Sequence, residues 1–249
     1  MIHRHRVPID PRSSRTIRVW LPDERPRGVL YLMDGQNVFA RPRVARPTWR
    51  ADEICARLIE TDQIAPIAVV GIDAARRGRR WEEYLPYPDP RNARARRFAA
   101  DRYADVFLPR VMREVARRHP AVGRAKHVGI GGSSYGAIAA LHAAVRRPRT
   151  FDRLLIESPP LWVGDGRLIA DAAASGLRAR AWIGVGTRES GSAQRAAELV
   201  RLARLLARTL RRRGAVTLRV GEGAPHHEIA WAGRLPDALR WLFPPGLRG

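Results

Sequence analysis

The chain has 249 residues, 46 of them basic and 24 acidic, for a formal charge of +22. That length holds one large domain or two small ones, and a single α/β domain of this size buries a sizeable core unaided. One cysteine, Cys55, excludes an internal disulfide framework and a zinc site of several thiolates, and a composition 45% hydrophobic and 28% charged excludes a disordered chain. No apolar run approaches the ~20 residues of a transmembrane helix. The opening Met1-Ile-His-Arg-His-Arg-Val-Pro lacks an apolar stretch before a small-residue cleavage site, so no signal peptide is expected and the expected location is cytoplasmic.

His3 and His5 sit at an N-terminus that is expected to fray. Residues 15–21 then alternate polar and apolar side chains, as a half-buried strand does. Short apolar runs follow at 28–33, 64–72, 127–130, 154–156, 181–185 and 216–220, each ended by a turn signal or a glycine. Runs apolar on both faces suit a parallel sheet covered by helices. Between them, residues 51–59, 102–118, 135–146, 192–212 and 227–242 repeat apolar side chains every three or four positions, the helical period. Residues 76–97, rich in Arg, Pro and Asn, predict a long loop over or near a site. The alternation predicts one domain over 1–249, with its core at about 15–243 and a mostly parallel sheet between helices.

The charge is carried almost wholly by arginine, Lys126 being the only lysine. Arginines scattered along the whole chain, with no recognition motif and few aromatics beside them, predict solvated surface positions rather than a specific nucleic-acid interface. An excess this large favours anionic substrates. The helix over 192–212 sets Leu199, Ala203, Leu206 and Leu210 on one face and Arg201, Arg204, Arg208 and Arg211 on the other. Such a helix suits a membrane surface, but its place between two strands predicts a crossover packed on the sheet, with no membrane insertion.

Chemistry concentrates at Gly132-Ser-Ser-Tyr-Gly136, a G-x-S-x-G motif between a strand and a helix. In that context the serine, Ser134, sits on a sharp turn that exposes its hydroxyl as a nucleophile. Gly129-x-Gly131 does not continue into a dinucleotide fingerprint, because Ser134 fills the third glycine position; no Gly-Lys-Ser/Thr is present for a phosphate loop. Serine needs a base. Of seven histidines, His119 precedes Pro120, His127 lies at the far end of the elbow strand, and His142 lies inside the helix as a packed residue. His226 or His227, between the last strand and the last helix, stands where the Ser-acid-His order puts the base. Glu189, after the strand over 181–185, is the expected acid, with Asp165 and Asp171 as rivals and a solvated pair with Arg188 as the bland reading. The backbone N–H groups of Tyr135 and Gln36 are expected to form an oxyanion hole, with Gly35 allowing close backbone approach.

Residues 30–39 (Leu-Tyr-Leu-Met-Asp-Gly-Gln-Asn-Val-Phe), 70–73 (Val-Gly-Ile-Asp) with Arg80 and 83–86 (Glu-Tyr-Leu-Pro), the Gly-Gly-Ser-Ser-Tyr-Gly-Ala elbow, and His226-x-Glu228-x-x-Trp231 together resemble the putative esterase family. That family includes esterase D, enterochelin-type siderophore esterases, feruloyl esterases and mycolyltransferases, and the resemblance spans about residues 15–243. It implies the α/β-hydrolase fold and a serine carboxylesterase without metal or organic cofactor, with acyl transfer as one alternative; the alternative of another class is a non-catalytic or nucleic-acid-binding protein on a hydrolase scaffold. Carried over residue by residue, the nucleophile falls on Ser134, the base on His226 and the acid on Glu189, where many members have Asp. Asp34, Gly35, Asp73, Arg80, Tyr84, Trp162 and His227 are the expected site-lining residues, with Arg80 a partner for a buried carboxylate such as Asp73. Trp49, Trp81, Tyr84 and Trp162 are candidates either for a pocket or for the core. The expected partner is a small ester, anionic by the charge argument, and the sequence leaves room for a homo-oligomer.

Overall fold

Strand β3 (Gly28–Met33) is buried along its whole length, and its side chains divide between two apolar clusters. Val29, Tyr31 and Met33 join one; Leu30 and Leu32 join the other. Alternation along a strand sends neighbours to opposite faces, so two helical layers are needed. Helices α1 (Ala51–Glu60) and α9 (Glu228–Leu242) cover one face. The other is covered by α4 (Leu108–Arg118), α6 (Tyr135–Arg146), α7 (Arg167–Ala174) and α8 (Ala193–Arg211). Each fully buried Leu or Ile contributes about 1.5–3 kcal/mol. The computed structural model describes residues 1–10, 13–40, 47–75, 79–92 and 98–247.

The sheet has eight strands in the order β1-β2-β4-β3-β5-β6-β7-β8. β1 (Ile2–Asp10) and β2 (Ser13–Trp20) are antiparallel to each other, and β2 is antiparallel to β4 (Ile67–Ile72). From β4 onward every pairing is parallel, through β3, β5 (His127–Ser133), β6 (Arg153–Glu157), β7 (Arg180–Arg188) and β8 (Val216–Pro225).

Several expectations need correction. The segment expected to fray is β1, paired with β2 from Ile2↔Trp20 onward. Among the described side chains of this edge strand only Val7 is fully buried, so its arginines and histidines hide the strand pattern and also discourage further edge pairing. The long loop over 76–97 contains α2 (Arg80–Tyr84); residues 76–78 and 93–97 of that segment lie outside the described residues. The helix expected over 102–118 begins as α3 (Ala100–Arg102), widens to a π-turn at Tyr103–Phe107 and continues as α4. Pro109 has no N–H to bond Asp105, which favours the wider turn. Pro120 opens a short α5 (Pro120–Gly123).

The apolar face of α8 is buried against the sheet while Arg201, Arg204, Arg208 and Arg211 face solvent, so the crossover reading of this helix holds. Among the described residues no helix is long and apolar enough to cross a membrane.

Candidate active site

Five chain segments leave the same end of the parallel sheet. Asp34 follows β3, Ser134 follows β5, Ser158 follows β6, Glu189 follows β7 and His226 follows β8. The carboxyl ends of parallel strands are where open α/β sheets gather their chemistry. Ser134 sits between β5 and α6 at φ 55°, ψ −132°, a conformation costly for a residue with a side chain. The turn is held from beneath: Ser134 N–H donates to the Glu157 carbonyl at 2.9 Å.

His226 and Glu189 meet. His226 Nδ1 lies 3.1 Å from Glu189 Oε2, and the Glu189 side chain is wholly buried. Its other oxygen, Oε1, accepts the Gly186 N–H and the Ser158 hydroxyl, each at 2.5 Å. Trp231 Nε1–H donates to Ser158 Oγ at 2.8 Å, and the Trp231 ring stands edge-on to the His226 imidazole at 5.1 Å. The bland reading of Glu189, a solvated pair with Arg188, is therefore wrong. Of its rivals, Asp165 is exposed, and Asp171 accepts a short hydrogen bond from Tyr87.

His227 is placed differently from its neighbour. It is the N-cap of α9, and its Nδ1 accepts the Ile229 N–H at 3.2 Å. The remaining histidines lie elsewhere. His127 pairs with Asp152 at 2.6 Å, His142 with Asp101 at 2.8 Å, and His5 with His119 at 2.8 Å. Among the described residues no hydrogen bond joins Ser134 to His226; catalytic contacts of this kind are often long in a ligand-free enzyme and tighten around substrate.

Backbone donors lie at the elbow and on the loop after β3. Tyr135 opens α6, so its N–H has no intrahelical acceptor. Gln36 lies in the 3-10 turn Gly35–Asn37, ahead of that turn's first bond, from Asn37 N–H to Asp34 O at 2.8 Å. The Gln36 side chain is fixed by accepting the Ala74 N–H at 2.9 Å and donating to Asp34 Oδ1 at 3.3 Å. Gly35 is required here: a β-carbon on it would lie 2.4 Å from the Gly71 backbone. Asn37 Nδ2 reaches Glu228 Oε1 at 3.2 Å, tying this loop to α9.

Arg80 grips Asp34, not Asp73. Its Nε and Nη2 donate to the two Asp34 oxygens at 2.7 and 2.6 Å. Arg18 makes the equivalent fork on Asp73 at 2.7 and 2.9 Å. Tyr84 is buried beneath the pair, its hydroxyl accepting the Asp34 N–H at 3.2 Å; burial, foremost, pushes its phenol well above the ordinary range. The guanidinium of Arg80 also faces the Tyr84 and Tyr135 rings, at 5.1 and 5.7 Å.

A second carboxylate that sequence reasoning missed, Asp89, organises the rim. It is 5% exposed and accepts from the Tyr135 hydroxyl at 2.5 Å, Trp162 Nε1 at 3.1 Å and the Arg91 N–H at 2.8 Å. Burial and then the bond to Asp89 push the Tyr135 phenol up to about 12. Arg91 stacks on Trp162 at 3.9 Å and pairs with Glu198 at 2.6 Å. Of the other aromatics, Trp49 is core on the α1/α9 face, and Trp81 packs half-buried against the cluster on the opposite face.

Glu157 was missed as well. It lies 1% exposed in a fork from Arg234, at 2.9 and 2.6 Å, with Trp182 Nε1 at 2.9 Å. Burial pushes its carboxyl up against the opposing pull of Arg234. The pair joins the end of β6 to α9. Among the described residues no group of three or more His, Cys, Asp or Glu is arranged to hold a metal ion. A separate cavity of about 360 Å³ between α7 and α8, lined by Leu177, Arg178, Thr209, Arg212 and Arg213, contains no nucleophile–base pair.

The family model described as "Putative esterase" matches residues 10–242. No curated protein sequence matches. Among solved structures, the siderophore hydrolase EstB from Aspergillus nidulans aligns over 98% of this chain and 96% of its own, with TM-score 0.73 and 20% identity. An IroE-like serine hydrolase from Shewanella oneidensis aligns over 98% and 80%, with TM-score 0.74 and 17% identity. The enterobactin esterase FES from Shigella flexneri aligns over 97% of this chain but 58% of its own longer chain, with TM-score 0.67 and 22% identity.

Proposed function

Because the chain belongs to the putative esterase family and is a hydrolase of ester bonds, we propose that Ser134, His226 and Glu189 form its catalytic triad. One observation carries the assignment: a buried carboxylate, already bonded on one oxygen, turns the other toward His226 Nδ1. A proton on Nδ1 leaves Nε2 unprotonated and able to accept. His226 Nε2 then takes the Ser134 proton as Oγ attacks the ester carbonyl. The Tyr135 and Gln36 N–H groups receive the oxyanion. Collapse expels the alcohol, which leaves with the proton from His226, and water attacks the acyl-enzyme by the same route in reverse.

The substrate reading is an ester bearing anionic or aromatic groups. Trp162, with the Glu198-paired Arg91 guanidinium stacked on it, gives the rim beside Tyr135 an aromatic wall, and the net charge of +22 attracts anions. EstB is named for siderophore hydrolysis and FES for enterobactin, so siderophore esters belong in the substrate panel.

The test is hydrolysis of p-nitrophenyl acyl esters, acetate through decanoate, by the wild type and Ser134→Ala, with fluorophosphonate labelling alongside. Turnover and labelling are expected only with Ser134 intact, the loss reaching several orders of magnitude. Near-wild-type turnover by Ser134→Ala would refute the assignment.

A further inference from the structure

We propose that Ser158 and Trp231 are positioning residues that fix both the ionisation and the orientation of Glu189. The inference rests on the triad reading and adds to it two residues that touch no substrate. An indole N–H only donates. Trp231 Nε1–H therefore occupies a lone pair of Ser158 Oγ, and the single Ser158 proton is left to point away, at Glu189 Oε1. Ser158 has no exposed surface and Trp231 is 5% exposed, so water does not compete for these bonds.

The direction of donation then fixes the acid. Oε1 receives two donors, the Ser158 hydroxyl and the Gly186 N–H, and has no room for a proton of its own. Glu189 is held as a carboxylate with Oε2 facing His226 Nδ1. The imidazole partner must supply the proton on that side. Donation thus runs one way, from Trp231 through Ser158 into the carboxylate, with His226 donating from the other side.

Trp231 acts twice. Its N–H end sets Ser158, and its ring packs at 88° against the imidazole. The same side chain thus limits rotation of the base and orders the partner of the acid. The charged groups around Glu189 are His226 beyond β8, and the Glu157–Arg234 pair contributed by β6 and α9.

Ser158→Gly, Ser158→Ala and Trp231→Phe test this together. Glycine suits the Ser158 φ of 50° without strain, so Ser158→Gly removes the hydroxyl at least cost to the fold. Trp231→Phe keeps a ring beside His226 and removes only the donor. Each variant is expected to lose roughly 10- to 100-fold in kcat, with KM changed less than about twofold. The Ser158→Gly/Trp231→Phe double variant should lose no more than Ser158→Gly alone, because the indole acts through the hydroxyl.

With one donor gone, the Glu189 carboxylate attracts the imidazolium proton more strongly, so the acidic limb of kcat/KM moves to higher pH in the Ser158 variants. A general loosening of the fold would not move it. Unchanged kcat with an unmoved limb, or losses that multiply fully in the double variant, would overturn the relay while wild-type turnover stayed dependent on Ser134. If the wild type itself turned over without Ser134, the triad assignment and the relay would both fall.

Discussion

Gly136 and Asp34 are packed so closely that a β-carbon on residue 136 would lie 2.8 Å from Asp34 Oδ2. The elbow helix and the loop after β3 therefore fix each other's position, and with them the Tyr135 and Gln36 N–H groups. Gly136→Ala forces Asp34 to shift against Arg80. The expected result is a stability loss of about 1–3 kcal/mol, as for overpacking elsewhere, with a fall in kcat of more than about tenfold. Urea denaturation and ester kinetics on the same preparation check both.

Removing Arg80 should be worse for the fold than exchanging it. In Arg80→Ala the Asp34 carboxylate is left nearly buried with its guanidinium gone, at a cost of about 3 kcal/mol. Arg80→Lys keeps the charge but loses the two-pronged bond, and should recover only part of that loss. Asp34→Asn in the Arg80→Ala background removes the orphaned charge and should restore stability. Denaturant midpoints for the four proteins are the readout.

The adjacent histidines should separate cleanly. His226→Ala is expected to abolish turnover with little change in melting temperature. His227→Ala removes the α9 N-cap and should cost about 1 kcal/mol of stability while keeping most activity. His227→Asn, a good capping residue, should return the stability. A reversal of these roles in kcat/KM would move the base by one position.

Acid should weaken the fold through its buried histidines. Burial, first among the causes, lowers His142, His5 and His119 below the ordinary value of 6.5. The unfolded chain then takes up protons sooner than the native one as pH falls past 6.5, so stability present above that pH is progressively lost below it. Melting temperature is expected to drop between pH 7 and pH 5, and to drop less in His119→Gln, whose side chain does not titrate. Equal slopes for the two proteins would contradict this account.

The sequence was legible where side chains alone decide the outcome. Apolar runs marked the cores of β3, β4 and β6, and the elbow motif stood between a real strand and a real helix. The tops of β5, β7 and β8 ran on through Gly131, Gly132, Gly186 and Gly221, which carry no hydrophobic signal. At several of these the glycine is required: a β-carbon on Gly131 would lie 2.6 Å from Leu155, and one on Gly186 2.1 Å from Ala224 O.

Arg80 was matched to the wrong aspartate for a comparable reason. β3 and β4 are neighbours with Met33 opposite Ile72, so Asp34 and Asp73 leave the sheet side by side. Only the position of Arg18 on β2 decides which aspartate Arg80 is left with. Ser158 gave no signal because its partners lie 31 and 73 residues away.

Strand β5 also fixes where the molecule can be held. Lys126, the only lysine and an exposed one, lies just before His127 at the start of this strand, while Ser134 follows its end. Seven residues at ~3.3 Å each separate the two by about 23 Å along the sheet. A support that couples at this side chain rather than at the Met1 amine would grip the end of the sheet opposite Ser134. Every enzyme tethered there would present its opening to the solution in one common orientation.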